Sequence, residues 1–191
     1  SDPNAGSASI NTTNWQGAYD ATAYLIELGH RRIAFVSGLA GLASTAERLH
    51  GFQDALADHG LPLEDTLIVE GGFTEQGGFD AAQALLDQSD IPTAIFAAND
   101  LSATGVIDAI RQRGLRVPQE VSVIGFDDIP QASLVYPKLT TVRQPLDQMG
   151  RKAVALLLEQ IEQRGADKRQ LTLETSLVIR DSCAPPLQRN R

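Results

Sequence analysis

The stretch from residue 114 to residue 145 constrains the fold of this chain more than any other part. Residues 121–126 are mostly apolar and β-branched, which predicts a strand of a parallel sheet that is covered on both faces. Asp127 and Asp128 follow at the carboxyl end of that strand. Because ligands of open α/β sheets bind beyond the carboxyl ends of the strands, both carboxylates are predicted to face a small polar molecule.

Helix and strand signals alternate along the rest of the chain, which favours βαβ units and an α/β fold with a doubly wound parallel sheet. Strands are predicted over residues 33–36, 67–69, 94–97 and 139–142, with a final strand region at 171–179. Helices are predicted from the capping-box pairs Thr13/Gln16 and Ser44/Glu47, and over residues 76–86, 101–113 and 146–164. The segment before Thr13 is expected to be a loop, and residues 184–191 a disordered tail.

The composition argues against several classes of function. The chain has 16 Lys and Arg against 24 Asp and Glu, which gives a formal net charge of -8. By itself it is therefore a poor candidate for binding a nucleic-acid backbone. Its single cysteine, Cys183, fits a reducing compartment, and the cytoplasm is the expected location. No apolar run approaches the roughly 18 residues that span a bilayer, so no membrane partner is expected.

No catalytic or metal-binding motif accompanies the two carboxylates. The sequence lacks the phosphate-cradling loop, the dinucleotide turn, the nucleophile elbow and the zinc-protease motif, so no cofactor and no metal are expected. The histidines have no metal-ligand spacing, and these three are predicted to be helix-terminal or surface residues: His30, His50 and His59. An acid/base or Mg²⁺ role for Asp127 and Asp128 stays open, but ligand hydrogen bonding is favoured for Asp127.

The start of the second predicted helix carries the first candidate ligand contacts. Ser44 and Arg48 are four residues apart, so they share one helix face just beyond the strand at 33–36. The guanidinium is a rigid fork of donors that can hold hydroxyls or a carboxylate. A surface salt bridge from Arg48 to Glu47 or Glu75 is the alternative.

Three further candidates follow other predicted strands. The ring of Phe73 can stack on the apolar face of a sugar or on a base, or it can pack in the core. Of the neighbours Asn99 and Asp100, the first is assigned to the ligand and the second to the N-cap of the next helix. Gln144 can reach a cleft or remain a satisfied loop residue. Together with the earlier candidates, these side chains suit a polyhydroxylated or otherwise hydrogen-bond-rich ligand.

Short motifs along nearly the whole chain resemble the lactose and galactose repressor family of bacterial transcription regulators, in its effector-binding portion. The motifs, in the family's order and intervals, are 28–33 (LGHRRI), 48–52 (RLHGF), 98–100 (AND), 125–128 (GFDD) and 139–142 (LTTV). The segment 11–15 (NTTNW) departs from the family, which usually has an Asp-Asn pair there. The resemblance therefore assigns no ligand contact to that segment.

The resemblance implies a two-lobe fold like that of the type I periplasmic sugar-binding proteins, with a complete C-terminal lobe and a partial N-terminal lobe. The expected division is 1–37 (partial N-terminal lobe), 38–140 (C-terminal lobe), 141–166 (N-terminal lobe again) and 167–183 (C-terminal lobe again). Crossings between the lobes are expected near 36–39, 139–143 and 165–170. The family's DNA-binding headpiece and the opening strands of its N-terminal lobe have no counterpart upstream of Ser1, so the chain is expected to be a fragment.

The resemblance also implies a site and a set of partners. The positions that match Arg48, Phe73, Asn99 and Asp127 contact the effector in the family, and Ser44 and Gln144 complete the site predicted here. The expected partners are a small-molecule effector, operator DNA through the missing headpiece only, and a second copy of the chain. A sugar is the expected effector, and a purine or another metabolite stays open. The alternatives are a periplasmic sugar-binding protein of a transport system and an enzyme on a doubly wound sheet.

Overall fold

A computed structural model describes residues 8–163 and 169–187 of the chain. The strands are β1 (Ser9–Thr12), β2 (Ile33–Ser37), β3 (Ile68–Glu70), β4 (Ala94–Ala97), β5 (Ser122–Asp127), β6 (Thr140–Arg143), β7 (Gln170–Leu173) and β8 (Ser176–Val178). The α-helices are α1 (Asn14–Glu27), α2 (Ala43–Asp58), α3 (Glu75–Leu86), α4 (Asp100–Gln112) and α5 (Leu146–Gln163). Short 3-10 helices precede β3 (Asp65–Leu67) and β6 (Pro130–Ser133).

Six strands form a large sheet in the order β3-β2-β4-β5-β6-β8, and every pair is parallel except β6 with β8. Alternate residues point to opposite faces of the sheet. Phe35 and Phe96 pack with α1 and α2 on one face, while Ala34 and Ile95 pack with α3 and α4 on the other. Both faces are buried, which explains why these strands are apolar throughout. The predicted doubly wound α/β fold is confirmed.

A smaller unit consists of β1, β7 and α5. β1 and β7 pair in parallel, from Ser9 opposite Gln170 to Thr12 opposite Leu173, and α5 packs beside β1. The described chain passes between this unit and the large sheet at residues 12–14, 143–146 and 173–176. The smaller unit is therefore joined to the large sheet by three short connections.

The structure differs from the expected lobe division at the start of the chain. β2 lies inside the large sheet, between β3 and β4, rather than in a separate lobe over residues 1–37, because its apolar side chains need cover on both faces. The crossing expected near 36–39 is wrong, since that segment joins β2 to α2 beside the same sheet. The crossings expected near 139–143 and 165–170 lie later in the chain, at 143–146 and 173–176. The bounds expected at 141 and 167 move with them, because β6 lies in the large sheet and β7 in the smaller unit. Residues 164–168 lie outside the described part.

Neither predicted capping box forms. Thr13 precedes α1, but its hydroxyl lies 2.9 Å from the Thr175 hydroxyl and caps no helix N–H. α2 already includes Ala43, and its N-cap is Leu42, whose side chain has no acceptor. The segment before Thr13 is β1 rather than a loop, because β7 supplies a pairing strand from the far end of the chain.

The segment that follows β8 packs on the large sheet, contrary to the predicted tail from residue 184. Ser182 is fully buried, and its hydroxyl hydrogen-bonds to β5 and to the first amide of β6. Ala184 and Ser122 exchange hydrogen bonds of 3.0 Å in both directions. These bonds hold the segment as far as residue 184, and residues 188–191 lie outside the described range.

His30 follows the end of α1 and anchors the same segment. Its side chain is 1% exposed, and its ring nitrogens lie 2.9 Å from Thr93 Oγ1 and 3.0 Å from the carbonyl oxygen of Ala184. A carbonyl oxygen only accepts, so Nε2 carries a proton. In a neutral ring Nδ1 then accepts from the Thr93 hydroxyl, whose other near acceptor is the Arg32 carbonyl oxygen at 3.3 Å. Burial lowers the pKa of His30 below its ordinary value, and this outweighs the opposite effect of the bond to Ala184. The buried ring is therefore neutral.

Replacing His30 by alanine is expected to lower the free energy of unfolding by about 2 kcal/mol at pH 7.5, because buried partners lose their hydrogen bonds. The folded-state pKa of His30 lies below the unfolded value of about 6.5, so its contribution is complete above pH 6.5 and is lost as the pH falls. We expect the difference between wild type and H30A to shrink from pH 7.5 to pH 5.5 in urea unfolding. A difference that grows over that range would contradict a neutral buried ring.

The smaller unit presents an apolar helix face. Several large apolar residues of α5 are exposed: Leu146, Val154, Leu157, Leu158 and Ile161. A cavity of about 470 Å³ separates α5 from β1 and is lined by Ile10, Met149 and Leu156 among others. Among the residues that the structure describes, no helix combines the length and the apolar character needed to cross a membrane.

Candidate functional site

Arg48 is the centre of the candidate site. It lies on α2, just beyond the carboxyl end of β2, and is only 5% exposed. Its Nε donates to Asn14 Oδ1 at 2.9 Å, and its Nη1 donates to the carbonyl oxygen of Ala98 at 2.5 Å. The guanidinium carbon lies 3.7 Å from the centre of the Phe126 ring, a cation–π contact. Burial lowers the pKa of Arg48 to about 10, so the guanidinium stays charged at neutral pH.

Asp127 is the charge partner of Arg48 at the end of β5. Its Oδ1 lies 3.6 Å from Arg48 Nη1 and accepts a hydrogen bond of 2.6 Å from Gln144 Nε2. Burial raises the pKa of Asp127, while the Arg48 charge and the Gln144 hydrogen bond act to lower it. Arg48 and Asp127, both predicted to lie at the carboxyl ends of strands, therefore meet at one edge of the sheet. The alternative for Arg48, a surface salt bridge to Glu47 or Glu75, is not found among the ion pairs of the described residues.

Asp128 has a different environment from its neighbour. Its two oxygens accept from Arg143 Nε at 2.6 Å and from Arg180 Nη2 at 2.5 Å. Burial acts to raise the pKa of Asp128, but these arginine hydrogen bonds outweigh it and the net shift is downward. Asp128 is thus occupied by structural ion pairs, and this leaves Asp127 as the carboxylate available to a ligand.

The Arg48–Asp127 pair retains binding capacity. Within the described ranges, neither Arg48 Nη2 nor Asp127 Oδ2 makes a hydrogen bond to the protein. A guanidinium N–H pair donates and a carboxylate oxygen accepts, so together they can bind a group that does both, such as a hydroxyl. Each charge acts to keep the other ionised, against the larger opposing effect of burial on both pKa values. The open donor and acceptor suit the pair to hydrogen-bonding a ligand.

Phe73 lies beside this pair in a left-handed conformation, with φ 62°. Its half-buried ring packs on the backbone of Gly38, where any Cβ would clash with the ring, and its centre is 5.8 Å from the Arg48 guanidinium carbon. The ring packs against the apolar core on one side, so both interpretations of the sequence, core packing and stacking, are compatible with its position.

The predicted assignments of Asn99 and Asp100 are reversed for the helix cap. Asn99 is the N-cap of α4: its Oδ1 accepts from Ser102 N at 2.9 Å, and its Nδ2 donates to the carbonyl oxygen of Phe73 at 3.0 Å. Asp100 is the first residue of the helix and does not cap it, because its carboxylate binds groups outside α4. Asn99 therefore shapes the site by fixing Phe73, and a direct ligand contact from it remains a prediction.

Ser44 and Gln144 complete the predicted set. Ser44 is half-buried in the first turn of α2, one turn before Arg48. The side-chain amide of Gln144 joins two parts of the molecule, since its Nε2 donates to Asp127 and its Oε1 accepts from Thr12 Oγ1 at 2.8 Å. Gln144 thus links the ligand-facing carboxylate of the large sheet to β1 of the smaller unit.

Asn14 is a site residue that the sequence interpretation missed. It is buried at the start of α1, accepts from Arg48 and donates to Glu47 Oε2 at 2.9 Å. Asn14 lies where the chain passes from β1 of the smaller unit to α1. This position would have made it a candidate, but a loop and not a strand was predicted before Thr13. Among the described residues, no group of three or more His, Cys, Asp or Glu side chains could hold a metal ion.

The family of periplasmic binding protein-like domains matches residues 22–183 of the chain. The HTH-type transcriptional repressor PurR of Haemophilus influenzae is 36% identical over 183 residues, which cover 94% of this chain and 54% of the repressor. The ribose operon repressor of Haemophilus influenzae is 40% identical over 166 residues, 87% of this chain and 50% of that protein. The chain thus spans about half the length of these relatives.

Solved structures give the same result. A transcriptional regulator CelR–cellobiose complex superposes with a TM-score of 0.88 at 37% identity and covers 93% of this chain and 54% of that one. A LacI family regulator from Enterococcus faecium with bound ribose superposes with a TM-score of 0.88 at 31% identity, covering 95% of this chain and 67% of that one. At these identities the likeness extends beyond the fold to the sequence.

Proposed function

We propose that this chain, which belongs to the periplasmic binding protein-like family, is the effector-binding part of a LacI-family transcription regulator and senses a small-molecule effector for it. The observation that carries the proposal is the pair formed by buried Arg48 and half-buried Asp127, which keeps a donor and an acceptor open. The repressor names of its relatives support a regulator over a transport protein. They also favour ligand binding over catalysis at this site.

A sugar is the effector class that we propose. A planar donor group beside a carboxylate suits neighbouring hydroxyls, each of which can donate and accept. The Phe73 ring can cover the apolar face of a sugar, as aromatic rings do in many ligand sites. Two related structures contain cellobiose and ribose, which supports this class for the present chain. A purine base is the competing ligand, because it also stacks on an aromatic ring.

Each predicted site residue has a proposed role. Arg48 anchors the effector, Asp127 and Asn99 bind its hydroxyls, and Phe73 packs on its ring. Ser44 and Gln144 lie at the margins of the same site. Asn99 and Gln144 already hydrogen-bond within the protein, so their contribution would use the second lone pair of a side-chain oxygen or an exchange of partners.

Effector binding between the two units would favour one of their arrangements over another, a population shift driven by differential affinity. In the intact regulator, this shift would change the spacing of two headpieces in a homodimer and thereby control operator DNA binding. The acidic net charge of -8 agrees with DNA contact through a separate headpiece rather than through this domain. We place the protein in the cytoplasm, where its operator would be.

A thermal-shift screen of the intact protein against pentoses, hexoses, disaccharides, sugar phosphates and nucleobases tests this function. A ligand at one hundred times its Kd stabilises the native state by about 2.7 kcal/mol, so a sugar effector should raise the melting temperature by several degrees. The shift should disappear in D127N and persist in D80N, which changes an exposed carboxylate on α3. A shift with nucleobases alone would replace the sugar by a purine, and no shift with any compound would contradict effector sensing.

A further inference from the structure

Asp100 is a buried carboxylate that forms no ion pair with the described residues of the chain. Its side chain belongs to a residue that is 1% exposed, and none of the ion pairs in the described ranges includes it. The charged groups that face it are Asp127 at the end of β5, Asp128 directly after it and Arg48 on α2. Burial raises the pKa of Asp100 to about 7, and the two aspartates act in the same direction. A group kept in so unfavourable a place needs a structural or functional reason.

The contacts of Asp100 connect three elements. Its Oδ1 accepts from the buried hydroxyl of Thr141 on β6 at 2.5 Å, and its Oδ2 accepts from the backbone N–H of Ile129 at 2.9 Å. Gly125 on β5 makes room for the carboxylate, because a Cβ at that position would clash with Oδ1. Asp100 thereby joins the start of α4, the strand β6 and the segment that leaves β5.

The segment that leaves β5 is strained. Asp127 has φ 118° and Asp128 has φ 57°, and Ile129 supplies the first backbone amide after them. Non-glycine residues adopt such conformations at a cost, and they persist only where their surroundings hold them. The hydrogen bond from Ile129 N to Asp100 is therefore in the right place to hold this turn, and the turn determines where the Asp127 carboxylate points.

We propose that Asp100 is a positioning residue, whose hydrogen bonds to Ile129 N and Thr141 fix the Asp127–Asp128 turn and so hold the Asp127 carboxylate against Arg48 for effector binding. This inference rests on the proposed function, since it concerns the same site. Asp100 itself is not expected to touch the ligand, because the residue is only 1% exposed. The essential property of Asp100 is an acceptor that reaches Ile129, rather than a negative charge.

An amide at residue 100 can keep part of this arrangement. Its oxygen can accept from Ile129 N while its NH₂ group donates to the Thr141 hydroxyl. Leucine has a similar size but no polar atom, so it removes both bonds. D100N thus removes the charge and keeps an acceptor, whereas D100L removes the acceptor and keeps a similar volume. Comparing the two variants shows which property the site needs.

The test measures sugar binding and backbone hydrogen exchange in the intact protein, with ribose and cellobiose as probes. We expect D100L to raise the Kd at least about tenfold and to accelerate exchange at the Ile129 amide by a similar factor, as for loss of a buried hydrogen bond. D100N should show a much smaller effect on both. D108L, on the exposed side of the same helix, should match the wild type, and exchange in β4 should report global stability in every variant.

Two results would overturn the proposal: unchanged exchange at Ile129 in D100L, or accelerated exchange with an unchanged Kd. If D100L does not fold, T141V removes one of the two bonds and is judged by the same measurements. If the wild type binds neither sugar nor any other compound of the screen, the proposed function fails, and exchange at Ile129 alone then supports or overturns the role of Asp100.

Discussion

Replacing Arg48 by methionine is expected to weaken effector binding at least about a hundredfold, which corresponds to about 3 kcal/mol. The guanidinium donates to Asn14 and Ala98, faces Asp127 and stacks on Phe126, so its removal leaves the carboxylate without its charge partner. The same loss should lower the free energy of unfolding by about 3 kcal/mol, because breaking a buried pair strands the remaining charge. Titration calorimetry with the effector and urea unfolding measure the two effects.

Two further variants make this prediction specific. R48K keeps the charge but lacks the planar fork, so it should recover much of the stability and little of the binding. R32M changes an arginine before β2, at the opposite edge of the sheet, and should leave the Kd within about threefold of the wild-type value. Wild-type affinity in R48M would remove Arg48 from the site, and equal weakening by R32M would mean that binding only follows stability.

Replacing Gly105 by alanine should destabilise the fold by about 3 kcal/mol, or roughly 10 °C in melting temperature. A Cβ at Gly105 on α4 would clash with the backbone carbonyl of Glu75 on α3, and backbone cannot rotate away as a side chain can. The two helices would have to separate along their length. Because the start of α4 carries Asn99 and Asp100, effector binding should weaken as well. Thermal unfolding followed by circular dichroism measures the first effect.

Gly150 provides a matched control on α5. Its added Cβ would meet no heavy atom within 4 Å, and its φ is not positive. G150A should therefore stabilise the protein by up to about 1 kcal/mol, since alanine favours helix and restricts the unfolded chain. If G105A and G150A changed the melting temperature in the same direction, the stability change in G105A could not be attributed to the close approach of α3 and α4.

The large sheet could be predicted because its physical signals are local. β4 has the predicted bounds, and α3, α4 and β5 differ from the prediction by one residue at their ends. Apolar runs bounded by residues that end a helix, such as glycine, are sufficient to predict strands that are buried on both faces. β1 could not be predicted in this way because SINT is short, is polar at three of its four positions and pairs, among the described strands, with β7 of the smaller unit. Its strand conformation depends on a partner that no local pattern reveals.

The meeting of Arg48 and Asp127 could be predicted as well, for a topological reason. Arg48 and Asp127 follow strands of one parallel sheet, so their convergence at one edge needs no knowledge of distant contacts. Asn99 and Asp100 could not be told apart, since both side chains are good caps and the choice depends on Thr141 and Ile129. Asn14 was missed because its partner on α2 lies far along the chain.

The side-chain amide of Gln144 has a thermodynamic consequence. One of its atoms binds Asp127 in the large sheet and the other binds Thr12 in the smaller unit, so a ligand hydroxyl that takes the place of Gln144 on Asp127 also changes the bond to Thr12. The affinity of Asp127 for the ligand and the relative position of the two units are then linked by one coupling free energy. By reciprocity, any second molecule that stabilises one arrangement of the units must change effector affinity by the same factor.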